Sequence, residues 1–151
     1  MMNTVLYFAY GSNLDEAQMH ARCPGARRDT RATLPGHALA FGGFSHRWGG
    51  AVASVVRERG RDVAGLLYAV PREEVALLDR FEGSPYAYER LLRIVVDERG
   101  RRRRAQLYVQ HEADFVRWTP APAYFAATHR AYLRLGFDRR SLLHAIAGGS
   151  S

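Results

Sequence analysis

Few residue types in this chain could carry chemistry. All 22 basic side chains are arginine and none is lysine, which removes Schiff-base chemistry, lysine general bases and P-loop mechanisms. The six histidines stand nine or more residues apart, in neither an H-x-x-x-H nor an H-x-x-E-H arrangement, so no metal site and no cofactor are expected. Ser12 lies in Tyr10-Gly11-Ser12-Asn13 rather than in a G-x-S-x-G elbow, and would be a nucleophile only if a distant histidine reached it. Cys23, the single cysteine, sits before Pro24 in an electropositive stretch that would lower its pKa, although a lone buried cysteine is usually inert. Two segments remain. The turn at Gly11-Ser12-Asn13 follows an apolar run and would expose successive backbone N–H groups, a cradle for a carboxylate or a developing oxyanion. Its plain reading is a capped strand-to-helix turn. In Leu78-Asp79-Arg80-Phe81-Glu82-Gly83 a carboxylate stands between an aromatic ring and a glycine at a helix end, where it is either solvated or held in an apolar pocket.

The elements that must position these residues follow from periodicity. Val5 to Tyr10 reads as a buried strand, and Asp15 can cap a short helix running through Arg22 to the Pro24-Gly25 stop. Arg31 to Phe41, Ala51 to Arg57 and Val63 to Val70 read as strands, the last two parted by a turn at Glu58-Arg59-Gly60-Arg61. Pro71 opens a helix that Gly83 closes. Tyr88 to Asp97 and Arg103 to Gln110 form a hairpin. A helix from Pro122 to Gly136 and a short one over Ser141 to Ala147 complete the chain. Gly42-Gly43 and Gly49-Gly50 bracket Phe44-Ser45-His46-Arg47-Trp48, a glycine-hinged loop or a mobile lid. About six strands, mostly hairpin-joined, with helices between them predict a single α+β domain over 1–151 whose mixed, largely antiparallel sheet curls into a barrel.

At 47% hydrophobic and 25% charged the composition is globular. No apolar run is long enough for a signal peptide or a membrane span, so a cytoplasmic address and no membrane partner are expected. The formal charge of +7 favours anionic partners, but Arg99 and Arg101 to Arg104 crowd one hairpin tip without the interleaved aromatics that stack bases. A solvated tip is the expected reading, with no nucleic-acid partner.

Tyr10-Gly11-Ser12-Asn13-Leu14 followed about seventy residues later by Leu78-Asp79-Arg80-Phe81-Glu82-Gly83 resembles the gamma-glutamylcyclotransferase-like family. Gly50-Ala51-Val52-Ala53, Val63-Ala64-Gly65-Leu66-Leu67-Tyr68 and the strand tyrosine Tyr108 match further family segments in order and spacing, across roughly residues 4 to 137. Near the C-terminus the family's P-S-x-x-Y is replaced by Pro120-Ala121-Pro122-Ala123-Tyr124. The resemblance implies a barrel enzyme that releases an amine from a gamma-glutamyl amide as the glutamyl group closes to 5-oxoproline. Glu82 would be its general base and acid, and Tyr10, Gly11, Ser12, Asn13, Leu14 and Tyr108 would bind the substrate. The partners implied are a small gamma-glutamyl molecule and, at most, a second copy, giving a monomer or homodimer. In an apolar pocket the Glu82 carboxyl would rise from about 4.3 toward roughly 6–7, where one group can both take and return a proton. The alternative is a non-catalytic binding member of the same fold.

Overall fold

The computed structural model describes residues 3–84 and 86–149. Five strands close into a barrel in the order β1-β3-β2-β4-β5: β1 (Thr4–Ala9), β2 (Arg27–Ser45), β3 (Gly50–Pro71), β4 (Tyr88–Asp97) and β5 (Arg102–Gln110). Neighbours pair antiparallel except β1 with β5, which meet in parallel at Tyr7 and Gln106. Helices α1 (Glu16–Arg22), α2 (Val75–Glu82), α3 (Pro122–Leu135) and α4 (Arg140–Gly149) surround it.

The count is five strands because the segments over 51–57 and 63–70 belong to one. Both flanks of the expected turn pair with β2, His37 opposite Arg57 and Pro35 opposite Asp62, so residues 58–61 are a bulge facing Gly36 rather than a chain reversal. Turn residues mark an excursion of the backbone, and only the partner strand decides whether the chain comes back. Pro71 likewise stays in extended conformation as the last residue of β3, and α2 follows a 3-10 turn at Arg72–Glu74. The predicted stops hold. Asp15 accepts the Ala17 N–H at the start of α1, and Gly83 ends α2 at φ +66°, with Ser84 N–H reaching back to Asp79 O.

The hydrophobic core, on the two faces of the barrel wall, includes Phe8, Phe41, Leu66, Leu67, Tyr68 and Leu107, all fully buried. Tyr132 of α3 is buried beside Phe137, its hydroxyl lacking a partner among the described residues. At one end of the barrel β1 and β5 finish, β4 begins and the β2–β3 hairpin folds over, and there the interior opens into a cavity. No helix among the described residues is long and apolar enough to cross a membrane.

Candidate active site

The cavity encloses about 470 Å³, a size suited to a small molecule. It gathers Glu82, Tyr10, Gly11, Ser12, Asn13 and Tyr108 from α2, the turn after β1, and β5. Leu14 does not line it. That side chain is fully buried in the core, and its carbonyl accepts from Arg134.

Glu82 ends α2, where the glycine stop turns the chain and leaves the last side chain facing the barrel mouth. Its side chain is 17% exposed. Burial pushes the carboxyl up to about 7, against the pull of Arg22 and Arg47. Phe81, the neighbour expected to shield it, is itself half exposed, under the guanidinium groups of Arg22 and Arg47 at 5.1 Å and 5.3 Å. The water-excluding wall is instead a set of tyrosines drawn from separate elements: Tyr7, Tyr10, Tyr88 and Tyr124. Burial first, and the Glu82 charge as well, hold their hydroxyls protonated and above the usual phenol range.

The turn after β1 is a 3-10 turn over Ser12–Leu14 that Gly11 precedes at φ −122°. Positive φ is therefore not the reason for glycine. A Cβ at Gly11 would run into the Tyr124 hydroxyl, which approaches from α3 and draws on backbone groups of Ser12 and Ala53. Tyr124 stands where the family's C-terminal pattern is altered, yet α3 docks its ring on the turn and edge-on against Trp48 at 5.2 Å.

Three side chains expected to hold substrate make hydrogen bonds within the protein. Tyr10 donates to the Tyr108 carbonyl, and Asn13 donates to Tyr7 Oη at 3.0 Å while accepting from Arg22 at 3.0 Å and Gln18 at 3.2 Å. The Tyr108 hydroxyl donates at 2.6 Å to Asp79, whose other oxygen pairs with Arg90 at 3.0 Å, so it braces α2 three residues before Glu82. Ser12 has no hydrogen bond to a histidine among the described residues. His46, at the cavity wall, packs edge-on against Phe44. Cys23 is fully buried, and burial drives its thiol up to about 11, so the electropositive stretch does not activate it. Among the described residues no three His, Cys, Asp or Glu side chains are grouped to hold a metal ion. The bracketed loop is the tip of the β2–β3 hairpin, closed by Gly49 N–H to Ser45 O at 2.7 Å and tied to the 115–118 segment through Gly43 N–H to Val116 O at 3.0 Å.

Sequence reasoning passed over Tyr7, Arg22, Tyr88 and Tyr124 as site residues. Tyr7, Tyr88 and Tyr124 lie on elements that read as core, Arg22 ends a short capped helix, and only the closed fold brings them together with Glu82.

The closed barrel brings the Glu82 carboxylate, a wall of tyrosines and a backbone turn together around a cavity of small-molecule size at its open end. The family described as gamma-glutamyl cyclotransferase, AIG2-like matches residues 7–126, and the chain belongs to that family. It is 38% identical over 84 residues to the mouse gamma-glutamylcyclotransferase, across 53% of this chain and 45% of the relative, and 35% identical over 82 residues to the human protein, across 52% and 44%. The chain thus spans a little under half the length of these curated relatives. A solved gamma-glutamyl cyclotransferase structure superposes with a TM-score of 0.86 at 26% identity, covering 95% of this chain and 88% of that one.

Proposed function

We propose that the chain is a gamma-glutamylcyclotransferase-type enzyme that converts a gamma-glutamyl amide into 5-oxoproline and a free amine. The observation that carries the reading is Glu82, a carboxyl held near pH 7 by burial within a cavity of about 470 Å³. The ionised Glu82 takes a proton from the substrate's α-amino group. That nitrogen attacks the γ-carbonyl carbon, a ring C–N bond forms, the original amide C–N bond breaks, and Glu82 returns the proton to the departing nitrogen. The substrate provides its own nucleophile, so Ser12 and Cys23 need no activation. Folding the glutamyl chain inside the cavity supplies effective molarity, which for ring closures reaches about 10⁵ M or more. Negative charge developing on the γ-oxygen would be met by the Tyr124 hydroxyl and the turn around Gly11 and Ser12. No metal or cofactor takes part in this scheme.

Incubation of the pure protein with a panel of gamma-glutamyl amides, followed by chromatography for 5-oxoproline, tests it. Turnover that Glu82→Gln abolishes, with circular dichroism unchanged, is the expected result. Binding without any 5-oxoproline would mean a non-catalytic member of the fold.

A further inference from the structure

Arg22 is a buried cation only partly satisfied. Its side chain, at the end of α1, is 7% exposed and lines the cavity, whereas the other two arginines of the cavity, Arg47 and Arg80, are exposed. One guanidinium nitrogen, Nη1, donates to Asn13 Oδ1 at 3.0 Å. The same nitrogen stands 4.0 Å from Glu82 Oε1, too far for a hydrogen bond. Among the described residues nothing accepts from Nε or Nη2. A guanidinium carries five N–H donors in a rigid fork suited to a carboxylate, and Arg22 lines the cavity with most of that fork uncommitted to protein partners.

The surroundings hold this geometry open. Asn13 is pinned on three sides, by Tyr7, Gln18 and Arg22 itself, and the Phe81 ring lies against the guanidinium. Arg22 is thereby kept beside Glu82 without closing onto it. An α-amino acid head group presents an amine and a carboxylate on one carbon, the complement of a carboxylate and a guanidinium set side by side with space between them.

We infer that Arg22 receives the α-carboxylate of the substrate's glutamyl group, so that the site recognises its substrate by the amino-acid head and delivers the neighbouring α-amine to Glu82. This rests on the cyclotransferase reading. It assigns Asn13 and Gln18 to positioning Arg22 rather than to holding substrate.

The test compares gamma-glutamyl anilide with 4-aminobutyryl anilide. The two differ only in the α-carboxylate, release the same aniline, and close to 5-oxoproline and 2-pyrrolidinone respectively. A charge-assisted contact of this kind corresponds to a preference of about 10- to 100-fold in kcat/KM. Wild type should show that preference, and Arg22→Gln should erase it, mainly by raising KM for the gamma-glutamyl compound. Equal losses on both compounds, or no preference in wild type, overturn the inference. Arg22→Lys keeps the charge and loses the fork. It carries the test where the glutamine variant does not fold: a preference reduced several-fold supports the inference and an unchanged one overturns it. A second measurement is independent of turnover: quenching of Trp48 and Trp118 fluorescence by 5-oxoproline against 2-pyrrolidinone. If wild type makes neither lactam yet binds only 5-oxoproline, through Arg22, the cyclotransferase reading fails and the carboxylate site stands. If it binds both alike or neither, the carboxylate site fails.

Discussion

The Glu82 carboxyl titrates near neutrality because the barrel takes it out of water, which bears on rate and stability together. A general base works ionised, so kcat/KM should rise with pH through about 7 and flatten above. Stability runs the other way. The folded protein holds this proton up to about 7 while the unfolded chain releases it near 4.5, so the folded state loses stability as pH climbs between those values. Glu82→Gln abolishes the slope and should leave the protein more stable than wild type at pH 8, by up to about 3 kcal/mol, with little difference at pH 4. Thermal melts at both pH values check it. The turn offers a second prediction. A methyl group at Gly11 would strike the Tyr124 hydroxyl, an overpacking that costs about 1–3 kcal/mol and displaces a donor from the site. Ser12→Ala removes only a hydroxyl that the scheme does not use. Gly11→Ala should therefore lose far more kcat/KM than Ser12→Ala. The reverse order, or a trapped glutamyl ester on Ser12, would establish a serine nucleophile.

At the level of elements, α2 is aimed by a strut rather than by its own packing alone. Tyr108 on β5 and Arg90 on β4 both grip Asp79, one turn before Glu82. Tyr108→Phe removes a hydrogen bond to a charged group, which corresponds to a loss of about 1.5–3 kcal/mol. The expected phenotype is a lower Tm and a reduced kcat with KM nearly unchanged. A raised KM at constant Tm would mean that the hydroxyl touches substrate instead. The C-terminal helices carry the opposite case. The Tyr132 hydroxyl is buried without a partner among the described residues, so Tyr132→Phe should be neutral or stabilising, as a melt would report.

Across the whole molecule the charge of +7 is less available than the composition suggests. Asp97, at the end of β4, accepts from the backbone N–H groups of Arg99 and Arg101 and from the side chains of Arg101 and Arg103, while Arg103 also reaches Asp29. These contacts hold the Asp97 carboxyl down at about 2. The tip is therefore partly a knot that closes the β4–β5 hairpin, and among the described residues Arg102 and Arg104 stand exposed outside this network. Replacing Arg102 and Arg104 with serine should weaken retention on a polyanion column and change stability by less than about 0.5 kcal/mol. Arg103→Ser should lower Tm at neutral pH. That deficit should shrink as pH falls from about 4 toward about 2, where Asp97 takes up its proton and the pair is lost in wild type as well.

What the linear chain determined by itself is local. The apolar run before Gly11, the Asp15 cap, the Gly83 and Gly136 stops and the β4–β5 hairpin follow from backbone freedom, capping and alternation within a few residues, and the structure keeps them. The pair of motifs around Gly11 and Glu82 was legible for the same reason, since each is a short contiguous string. Tertiary structure decided the rest. Residues 58–61 became a bulge because β2 continues past them. The Asn13 and Tyr10 side chains, both at the cavity, are hydrogen-bonded to Arg22, Tyr7 and Tyr108, which arrive beside them from other parts of the chain. The Glu82 carboxyl rises through burial among tyrosines contributed by β1, β4 and α3. A pKa, a cavity and an unmet guanidinium are properties of groups far apart in sequence, and they exist only once closing the barrel excludes water between them.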